Sequence, residues 1–275
     1  MAEYYKAKRS YGIFDPKSNQ PYKLSRSKLD LFLNCPRCFY LDRRLGVGQP
    51  SMPAFTLNVA VDALLKKEFD VHRARQTTHP LMAKYGLKAV PFMHPNMGQW
   101  RENFVGVQFL HKPTNFLVFG AVDDIWQTPD GVLHVVDYKA TSKDGEVELE
   151  NTKWHNQYRR QMEVYQWLLR QNGFEVSDTG YFVYVNARKD KQAFDGQLEF
   201  KVKIIPYTGQ GNWVEKQLTQ ARKCLMSGTM PPAAAACEFC AYRQAAYEQE
   251  HKPAPAAATP AAKKKKAAAQ SARLF

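Results

Sequence analysis

Residues 120–141 read GAVDDIWQTPDGVLHVVDYKAT, and this stretch carries the clearest indication of the fold in the sequence. Two apolar runs flank Thr128–Gly131, a turn sequence built from Thr, Pro, Asp and Gly. The pattern predicts an antiparallel β-hairpin that carries acidic residues within its strands. If residues 129–131 form the loop, the register places Asp123 opposite Asp137 on one face of the sheet.

A lysine joins this pair of acids. Side chains alternate along a strand, so Lys139, two residues beyond Asp137, points to the same face. Two facing carboxylates repel one another unless a hard divalent cation lies between them, and Mg²⁺ or Mn²⁺ suits oxygen ligands. Such an ion can bind a phosphate oxygen and acidify a water, while the lysine orients that water or offsets charge. The chemistry indicated is phosphodiester hydrolysis.

A simpler interpretation is open for each acid taken alone. Asp123 or Asp124 at the end of a strand can form an ordinary surface ion pair with Lys139, a contact that contributes about 0–1 kcal/mol. The convergence of two acids and a lysine on one face of an apolar hairpin favours the metal site.

Helices and further strands are predicted around the hairpin. Helices are expected at Lys23–Gly46, interrupted at Cys35-Pro36, and at Thr56–Arg75, Asn156–Asn172 and Trp213–Met226. Strands are expected at Phe104–Leu110, Phe116–Trp126, Val132–Tyr138, Gly180–Asn186 and Leu198–Ile205. Residues 79–103 contain three prolines and are expected to be mostly irregular. This order predicts a mixed α/β domain whose sheet contains an antiparallel meander.

Composition limits the class of protein and the partners. The chain has 275 residues, 44% of them hydrophobic, which excludes a wholly disordered protein. Its formal net charge of +13 makes a polyanion such as DNA the first partner to consider. The opening residues lack the apolar core of a signal peptide, and no run reaches the roughly eighteen apolar residues of a spanning helix. We therefore expect a cytoplasmic protein without membrane contact.

The chain is expected to have three segments. Residues 1–22 form an N-terminal extension, and residues 23–251 form the folded domain. Residues 252–275 are Ala-, Pro- and Lys-rich and cannot bury enough apolar surface to fold, so they predict a disordered tail.

Four of the five cysteines occur as two Cys-x-x-Cys pairs, Cys35/Cys38 and Cys237/Cys240. In a cytoplasmic chain, two such pairs indicate a four-thiolate site for zinc or an iron–sulfur cluster. The alternative is four independent thiols. A metal there would have a structural role, because it would close a long loop of the chain.

Several of these motifs, taken in order, resemble the PD-(D/E)XK nuclease superfamily, and in particular its RecB-like branch. Gly120–Asp123 and Asp137-Tyr138-Lys139 are similar to its Gly-x-x-Asp and Asp-x-Lys strands. Gln161–Tyr165 is similar to the Gln-x-x-x-Tyr motif of that branch, and Ser25–Tyr40 to its opening helix. The resemblance spans about residues 23–243. It implies a restriction-endonuclease-like core of order αβββαβ, in which a mixed sheet is flanked by helices.

The resemblance also implies roles for individual residues. Asp123 and Asp137 would ligate Mg or Mn, and the backbone carbonyl of Tyr138 would complete the set of ligands. Lys139 would be the catalytic lysine. The remaining implied site residues are Gln161 and Tyr165 on the following helix, and Asp62, which stands where RecB-like members usually have a histidine. Plain core packing is an equal alternative for Tyr165, as a solvated helix position is for Asp62.

Similar CRISPR-associated and AddB-type exonucleases hold a 4Fe-4S cluster that ties the beginning of the chain to its end. Their usual pattern is one early and three late cysteines, whereas this chain has two and two, which leaves zinc open. The tail ends in QSARLF (Gln270–Phe275), similar to the peptide by which bacterial replication and repair proteins dock on the sliding clamp.

The resemblance and the residues together predict a metal-dependent DNA nuclease, an exonuclease on single strands or DNA ends in repair, recombination or CRISPR adaptation. The chain has no helicase motif of the Gly-x-x-x-x-Gly-Lys type, so unwinding would need a helicase partner. The alternatives are a noncatalytic DNA-end-binding module, in which the acids and the lysine are relics, and a protein whose metal cluster is a redox sensor.

Overall fold

The computed structural model describes residues 8–50 and 55–252. The chain divides into two compact units, Met1–Cys237 and Glu238–Phe275. In the first unit the elements follow one another as β1 (Tyr22–Ser25), α1 (Arg26–Asn34), α2 (Pro36–Arg44), α3 (Thr56–Arg75), α4 (Pro80–Lys84), β2 (Val90–Pro91), α5 (Met97–Arg101), β3 (Val107–His111), β4 (Phe116–Gly120), β5 (Asp124–Gln127), β6 (Leu133–Thr141), α6 (Lys153–Gln171), β7 (Thr179–Ala187), β8 (Phe200–Thr208) and α7 (Val214–Met226). In the second unit α8 spans Glu238–Glu250.

The strands form two sheets. In the three-stranded sheet the order is β1-β4-β3, with β1 parallel and β3 antiparallel to β4. In the five-stranded sheet the order is β2-β5-β6-β7-β8, with β6 and β7 parallel and the other neighbours antiparallel. Both sheets are therefore mixed and helices flank them, so the predicted mixed α/β class is confirmed.

Each face of the five-stranded sheet packs against different helices. On one face, apolar side chains of α3 such as Phe69 pack with Trp126 and Val136. On the other face, Val135 and Phe182 pack with the apolar side of α6. Because side chains alternate along β6, the residues at 137 and 139 share the α6 face with Val135.

The prediction of one strand over Phe116–Trp126 is wrong. The chain leaves the ladder at residues 121–123, where the N–H of Val122 donates to the carbonyl of Trp100 at 3.0 Å. As a result β4 and β5 enter different sheets. The predicted meander is thus two separate antiparallel pairs, β3–β4 and β5–β6. The break is invisible in the sequence because both halves are equally apolar.

Other predicted elements agree with the structure. Helix α3 has the predicted bounds, and the predicted interruption at Cys35-Pro36 separates α1 from α2, with Pro36 as the first residue of α2. The short elements β1, α4, β2 and α5 were not predicted, because runs of two to five residues carry too little periodicity. Helix α8 was also missed.

Candidate active site

Asp137 lies within β6, in the interior of the five-stranded sheet, and its side chain has no exposed surface. Both of its carboxylate oxygens lack a hydrogen-bond partner among the described residues, although one forms an ion pair with Nζ of Lys139. Burial raises the pKa of Asp137 to about 6; Lys139 opposes this shift and the charge of Asp123 adds to it. A buried carboxylate in this state needs a cationic partner.

Asp123 immediately precedes β5. Asp124 lies opposite Val136 in the β5–β6 pair. Continuing this register by one residue brings Asp123 opposite Asp137, the pairing that the sequence predicted. The backbone N–H of Tyr138 donates to Oδ2 of Asp123 at 2.9 Å. This bond fixes the Asp123 carboxylate against the strand that carries Asp137.

Lys139 lies beside both acids. Its Nζ is ion-paired with Asp137 and lies 4.6 Å from the ring centre of Tyr158. Burial acts to lower the pKa of Lys139, but the carboxylates of Asp137 and Asp123 outweigh burial and raise it. The structure therefore brings together the two acids and the lysine that the sequence singled out.

Asp62 reaches the same place from α3, together with a lysine that the sequence reasoning missed. Nζ of Lys66 lies 2.8 Å from Oδ2 of Asp62 and 3.4 Å from Oδ1 of Asp123. Burial raises the pKa of Asp62, the charge of Asp123 adds to the shift, and Lys66 opposes it. The overlooked signal was the spacing of four residues, which puts Asp62 and Lys66 on one helix face.

Gln161 and Tyr165 approach the acids from α6. Nε2 of Gln161 donates to Oη of Tyr165 at 3.0 Å. The Tyr165 ring is buried, with the guanidinium of Arg26 at 5.9 Å from its centre. Burial raises the pKa of Tyr165; Arg26 opposes this shift, and the charges of Asp137 and Asp123 add to it.

Asp124, the neighbour of Asp123, has a different environment. It is fully buried and ion-paired with Arg73 of α3, and Oη of Tyr138 donates to its Oδ2 at 2.7 Å. Nη2 of Arg101 lies 3.3 Å from Asp124, while Nε of the same guanidinium donates to the carbonyl of Asp123 at 2.9 Å. Asp124 is therefore a structural acid behind the site, and Arg101 links it to Asp123.

A cleft of about 830 Å³ opens at Asp123. Gln161 and Tyr165 line it, as does Asp62. The basic side chains that line it are Arg9, Lys23, Arg26, Lys28, Arg43, Lys66 and Arg101. Seven basic side chains thus line the same cleft as Asp62 and Asp123, where a polyanion would need positive charge.

One buried acid holds three of these cations. Carboxylate oxygens of Asp42 lie 2.6 Å from Nη2 of Arg9, 2.8 Å from Nζ of Lys28 and 2.7 Å from Nε of Arg43. Burial acts to raise the pKa of Asp42, but Arg43 and Lys28 outweigh it and lower it. Asp42 therefore orders the basic wall of the cleft.

The donor atoms near the cleft fit a hard divalent cation. Asp137 offers two buried oxygens without hydrogen-bond partners among the described residues, and Asp123 lies opposite it in the β5–β6 register. Asp62 is joined to Asp123 through the ammonium group of Lys66. Mg²⁺ and Mn²⁺ prefer oxygen ligands of this kind.

The sequence matches the profile of the PD-(D/E)XK nuclease superfamily over residues 56–245, a range that contains Asp62, Asp123, Asp137 and Lys139. The chain belongs to this superfamily. No curated protein matches the sequence. The crystal structure of a candidate exonuclease from Eubacterium rectale overlaps with a TM-score of 0.39 and 16% sequence identity, over 85% of this chain and 92% of that chain. A TM-score this low supports no conclusion about this chain, so the family assignment rests on the profile match alone.

Four cysteines of this PD-(D/E)XK protein form a candidate group of metal ligands, as their spacing predicted. Cys35, Cys38 and Cys237 lie in the first unit and Cys240 in the second, and all four residues are buried. Within the first unit, Sγ of Cys38 and Sγ of Cys237 are 3.5 Å apart. Such a group is a candidate metal site.

Local contacts favour the thiolate form of Cys35. Burial acts to raise the pKa of Cys35, but the backbone N–H groups of Ala234 and Cys38 and the neighbouring thiol of Cys237 lower it to about 7. Cys224 differs, because burial raises the pKa of its thiol to about 11. The fifth cysteine therefore has no sign of a ligand role, in agreement with its isolated position in the sequence.

The segment after α7 brings Cys237 to α2. Oη of Tyr40 donates to the carbonyl of Ser227 at 3.0 Å, and Nε of Arg37 donates to the carbonyl of Pro231 at 3.1 Å. Both donors flank Cys38 in the sequence. Two residues of α2 thus guide the returning chain toward the cysteines.

Within the described parts of this PD-(D/E)XK protein, no helix has the length and apolar character that crossing a membrane requires. The predicted clamp-binding peptide, Gln270–Phe275, lies outside the described residues.

Proposed function

We propose that this PD-(D/E)XK protein is a Mg²⁺- or Mn²⁺-dependent deoxyribonuclease, an exonuclease acting on single-stranded DNA or on DNA ends. The observation that carries the proposal is Asp137: its buried Oδ1 lacks a hydrogen-bond partner among the described residues, its Oδ2 is ion-paired with Lys139, and it lies opposite Asp123, which lines a basic cleft. A bound divalent cation would supply the partner that Oδ1 of Asp137 lacks among the described residues.

In the proposed site, Asp123 and Asp137 hold the metal, and the Tyr138 carbonyl and Asp62 are further candidate ligands. The bound ion would supply Lewis-acid activation of the phosphate and of the attacking water. In the hydrolysis, a water oxygen forms a bond to phosphorus while the bond from phosphorus to the leaving sugar oxygen breaks.

The chain's own side chains position the substrate. Lys139, held against Asp137 and the ring of Tyr158, lies where it can orient the water or offset charge developing on the phosphate. Gln161 and Tyr165 line the cleft on the α6 side and can hold the sugar-phosphate backbone of the bound DNA. Arg26, over the Tyr165 ring, adds a positive charge.

DNA is the proposed substrate because of the charge of the cleft. Phosphate contacts by Lys and Arg supply most of the sequence-independent affinity for nucleic acid. Asp42 keeps Arg9, Lys28 and Arg43 together on one wall, which favours an extended backbone over a small substrate.

The test is cleavage of end-labelled single- and double-stranded linear DNA with Mg²⁺ or Mn²⁺. We expect cleavage by the wild type to be lost in EDTA and in the Asp137→Asn variant. The matched control is Asp130→Asn, because Asp130 lies in the β5–β6 turn away from the cleft. Cleavage by Asp137→Asn at the wild-type rate would contradict the proposal.

A noncatalytic DNA-end-binding module is the second candidate. It is favoured by Lys66, whose ammonium group already lies between the carboxylates of Asp62 and Asp123. Tight DNA binding by the wild type without cleavage under either metal would establish this alternative.

We propose that the four cysteines bind a single zinc ion with a structural role. Four thiolates around one zinc at about 2.3 Å are about 3.8 Å apart. The 3.5 Å between the sulfur atoms of Cys38 and Cys237, both in the first unit, is close to that spacing. A 4Fe-4S cluster, which the resemblance implied, places several iron atoms between the sulfurs and needs a wider group.

The predicted partners and segments stay proposals. A sliding clamp would bind Gln270–Phe275, and a pull-down of the clamp by the full chain, compared with a chain lacking those residues, tests it. A helicase partner, a cytoplasmic location, a role in repair, recombination or CRISPR adaptation, and the division at residues 22 and 251 rest on the sequence reasoning alone.

A further inference from the structure

Phe104 combines backbone strain with exposure. Its φ is +76°, in the left-handed region that residues other than glycine rarely adopt. Its side chain is among the most exposed of the described apolar residues, with 84% of its surface accessible. The strained backbone costs folding free energy, the exposed ring contributes no burial energy to offset it, and strain of this kind collects at functional sites. Phe104 lines the same cleft as Asp123.

The loop that carries Phe104 is held against the backbone leading to Asp123. A Cβ atom on Gly106 would lie 2.4 Å from the carbonyl group of Gly120, so the two backbones touch. The N–H of Gly106 also donates to the carbonyl of Gln99 at 3.2 Å. The surroundings therefore fix the conformation of the loop and maintain the strain.

Further contacts tie Phe104 to the site. Nζ of Lys23 donates to the carbonyl of Phe104 and lies 4.6 Å from the ring centre of Phe119. Arg101, three residues before Phe104, donates to the carbonyl of Asp123. Three residues span at most about 10 Å, so the Phe104 backbone lies close to the acids.

A second exposed ring lines the cleft. Tyr11 is 67% exposed, and the guanidinium of Arg9 lies 5.7 Å from its ring centre. The same cleft is lined by the cations that Asp42 orders. Exposed rings interleaved with phosphate-binding cations are the pattern of single-strand binding sites.

Resting on the proposed nuclease function, we propose that the cleft binds DNA as an unstacked single strand, with a nucleobase stacked on the Phe104 ring. In a duplex the faces of the bases are covered by their neighbours and only phosphates and groove edges are accessible. Within a duplex, an exposed ring beside the acids finds no free base face, whereas an unstacked base offers one along the whole length of a single strand. Phe104 would thereby select single strands or frayed ends over intact duplex.

The experiment measures binding of a fluorescent oligonucleotide in EDTA, so that no cleavage intervenes. The Phe104→Leu variant is compared with wild type on a mixed-sequence single strand and on a strand of equal length composed of abasic sites. We expect roughly tenfold weaker binding of the base-containing strand, which corresponds to the loss of one stacked base. The abasic strand should bind both proteins equally, because its phosphates are unchanged.

Matched variants separate stacking from charge and from folding. Phe104→Tyr keeps the ring and should bind like wild type. Phe194→Leu removes another exposed ring, 72% accessible and outside the cleft lining, and should have no effect. The salt dependence of binding should be the same for Phe104→Leu and wild type, because no phosphate contact is lost. Phe104→Gly relieves the positive φ, so its melting temperature should rise while its affinity falls.

Unchanged binding of the base-containing strand by Phe104→Leu would overturn the proposal, and so would an equal loss on the abasic strand. Failure of the wild type to bind DNA at all would overturn both this proposal and the nuclease function. Base-dependent binding without cleavage under Mg²⁺ or Mn²⁺ would leave the stacking site established and refute only the nuclease function.

Discussion

A Cβ atom placed on Gly120 would lie 2.5 Å from Cε1 of Tyr165. Glycine at this position therefore lets the Tyr165 ring rest directly on the last residue of β4. The contact joins two stretches that are separate motifs in the sequence, Gly120–Asp123 and Gln161–Tyr165. This contact fixes the distance between α6 and the end of β4, next to Asp123.

Gly120→Ala should push the Tyr165 ring out of place, since backbone of a packed strand cannot yield. We expect a loss of about 1–3 kcal/mol in the free energy of unfolding, typical of overpacking, together with reduced cleavage. Chemical denaturation and the end-labelled cleavage assay measure the two effects. Gly98→Ala is the matched control, because no atom lies within 4 Å of its added Cβ. Equal losses in both variants would contradict the stated contact.

The adjacent acids Asp123 and Asp124 should give opposite results. Asp123→Asn keeps an oxygen for the Tyr138 N–H and should change stability by less than about 1 kcal/mol, while cleavage falls at least about a hundredfold. Asp124→Asn breaks a buried pair with Arg73 and should cost about 3–5 kcal/mol. Urea unfolding and cleavage rates on the same preparations test both. The assignment fails if Asp123→Asn is the less stable of the two.

Asp42 should make stability depend on pH. Its folded pKa is lowered by Arg43 and Lys28, so it contributes stability above the ordinary carboxyl pKa near 4, and this contribution is lost as the pH falls through the folded value. Asp42→Asn, which leaves three cations unpaired, should cost about 3–5 kcal/mol at neutral pH. The difference in the free energy of unfolding between Asp42→Asn and wild type should become smaller in acid.

Unfolding curves recorded at neutral pH and below pH 4 measure the Asp42 effect. The control is Asp144→Asn, since Asp144 is an exposed acid paired with Lys189, and we expect a change within about 0.5 kcal/mol. A difference between Asp42→Asn and wild type that stays constant with pH would refute the coupling.

The four-cysteine site should hold one zinc ion per chain and no iron. Cys38→Ser should lose the metal and at least about 2 kcal/mol of stability, because binding of a structural metal contributes to folding. Cys224→Ser should keep both, since Cys224 lies outside the group. Elemental analysis and visible absorption of an anaerobic preparation measure the content. Brown protein with several irons per chain would contradict the zinc proposal.

The sequence predicted the parts of the site that depend on local geometry. Alternation along a strand placed Asp137 and Lys139 on one face, and the turn at Thr128–Gly131 fixed the register that aligns Asp123 with Asp137. The helical period put Gln161 and Tyr165 on one side of α6. Cys-x-x-Cys spacing singled out Cys38 and Cys237, whose sulfur atoms lie 3.5 Å apart although 199 residues separate them in the sequence.

Tertiary structure decided what depends on residues far apart in the chain. The segment 116–126 contributes strands to two different sheets, because the N–H of Val122 donates a hydrogen bond to the carbonyl of Trp100 between them. No local sequence pattern encodes this contact. Asp123 and Asp124 have the same chemistry in the sequence, and it is burial beside Arg73 and Tyr138 that makes Asp124 structural.

By itself, then, the sequence determined which chemical groups are present and on which face of each element they lie, because these follow from residue type and from the periods of strand and helix. The three-dimensional packing decided which groups are buried, paired or exposed. Lys66 between two acids, Tyr165 on the backbone of Gly120, and Phe104 held in a strained, exposed loop all arise from contacts between distant segments.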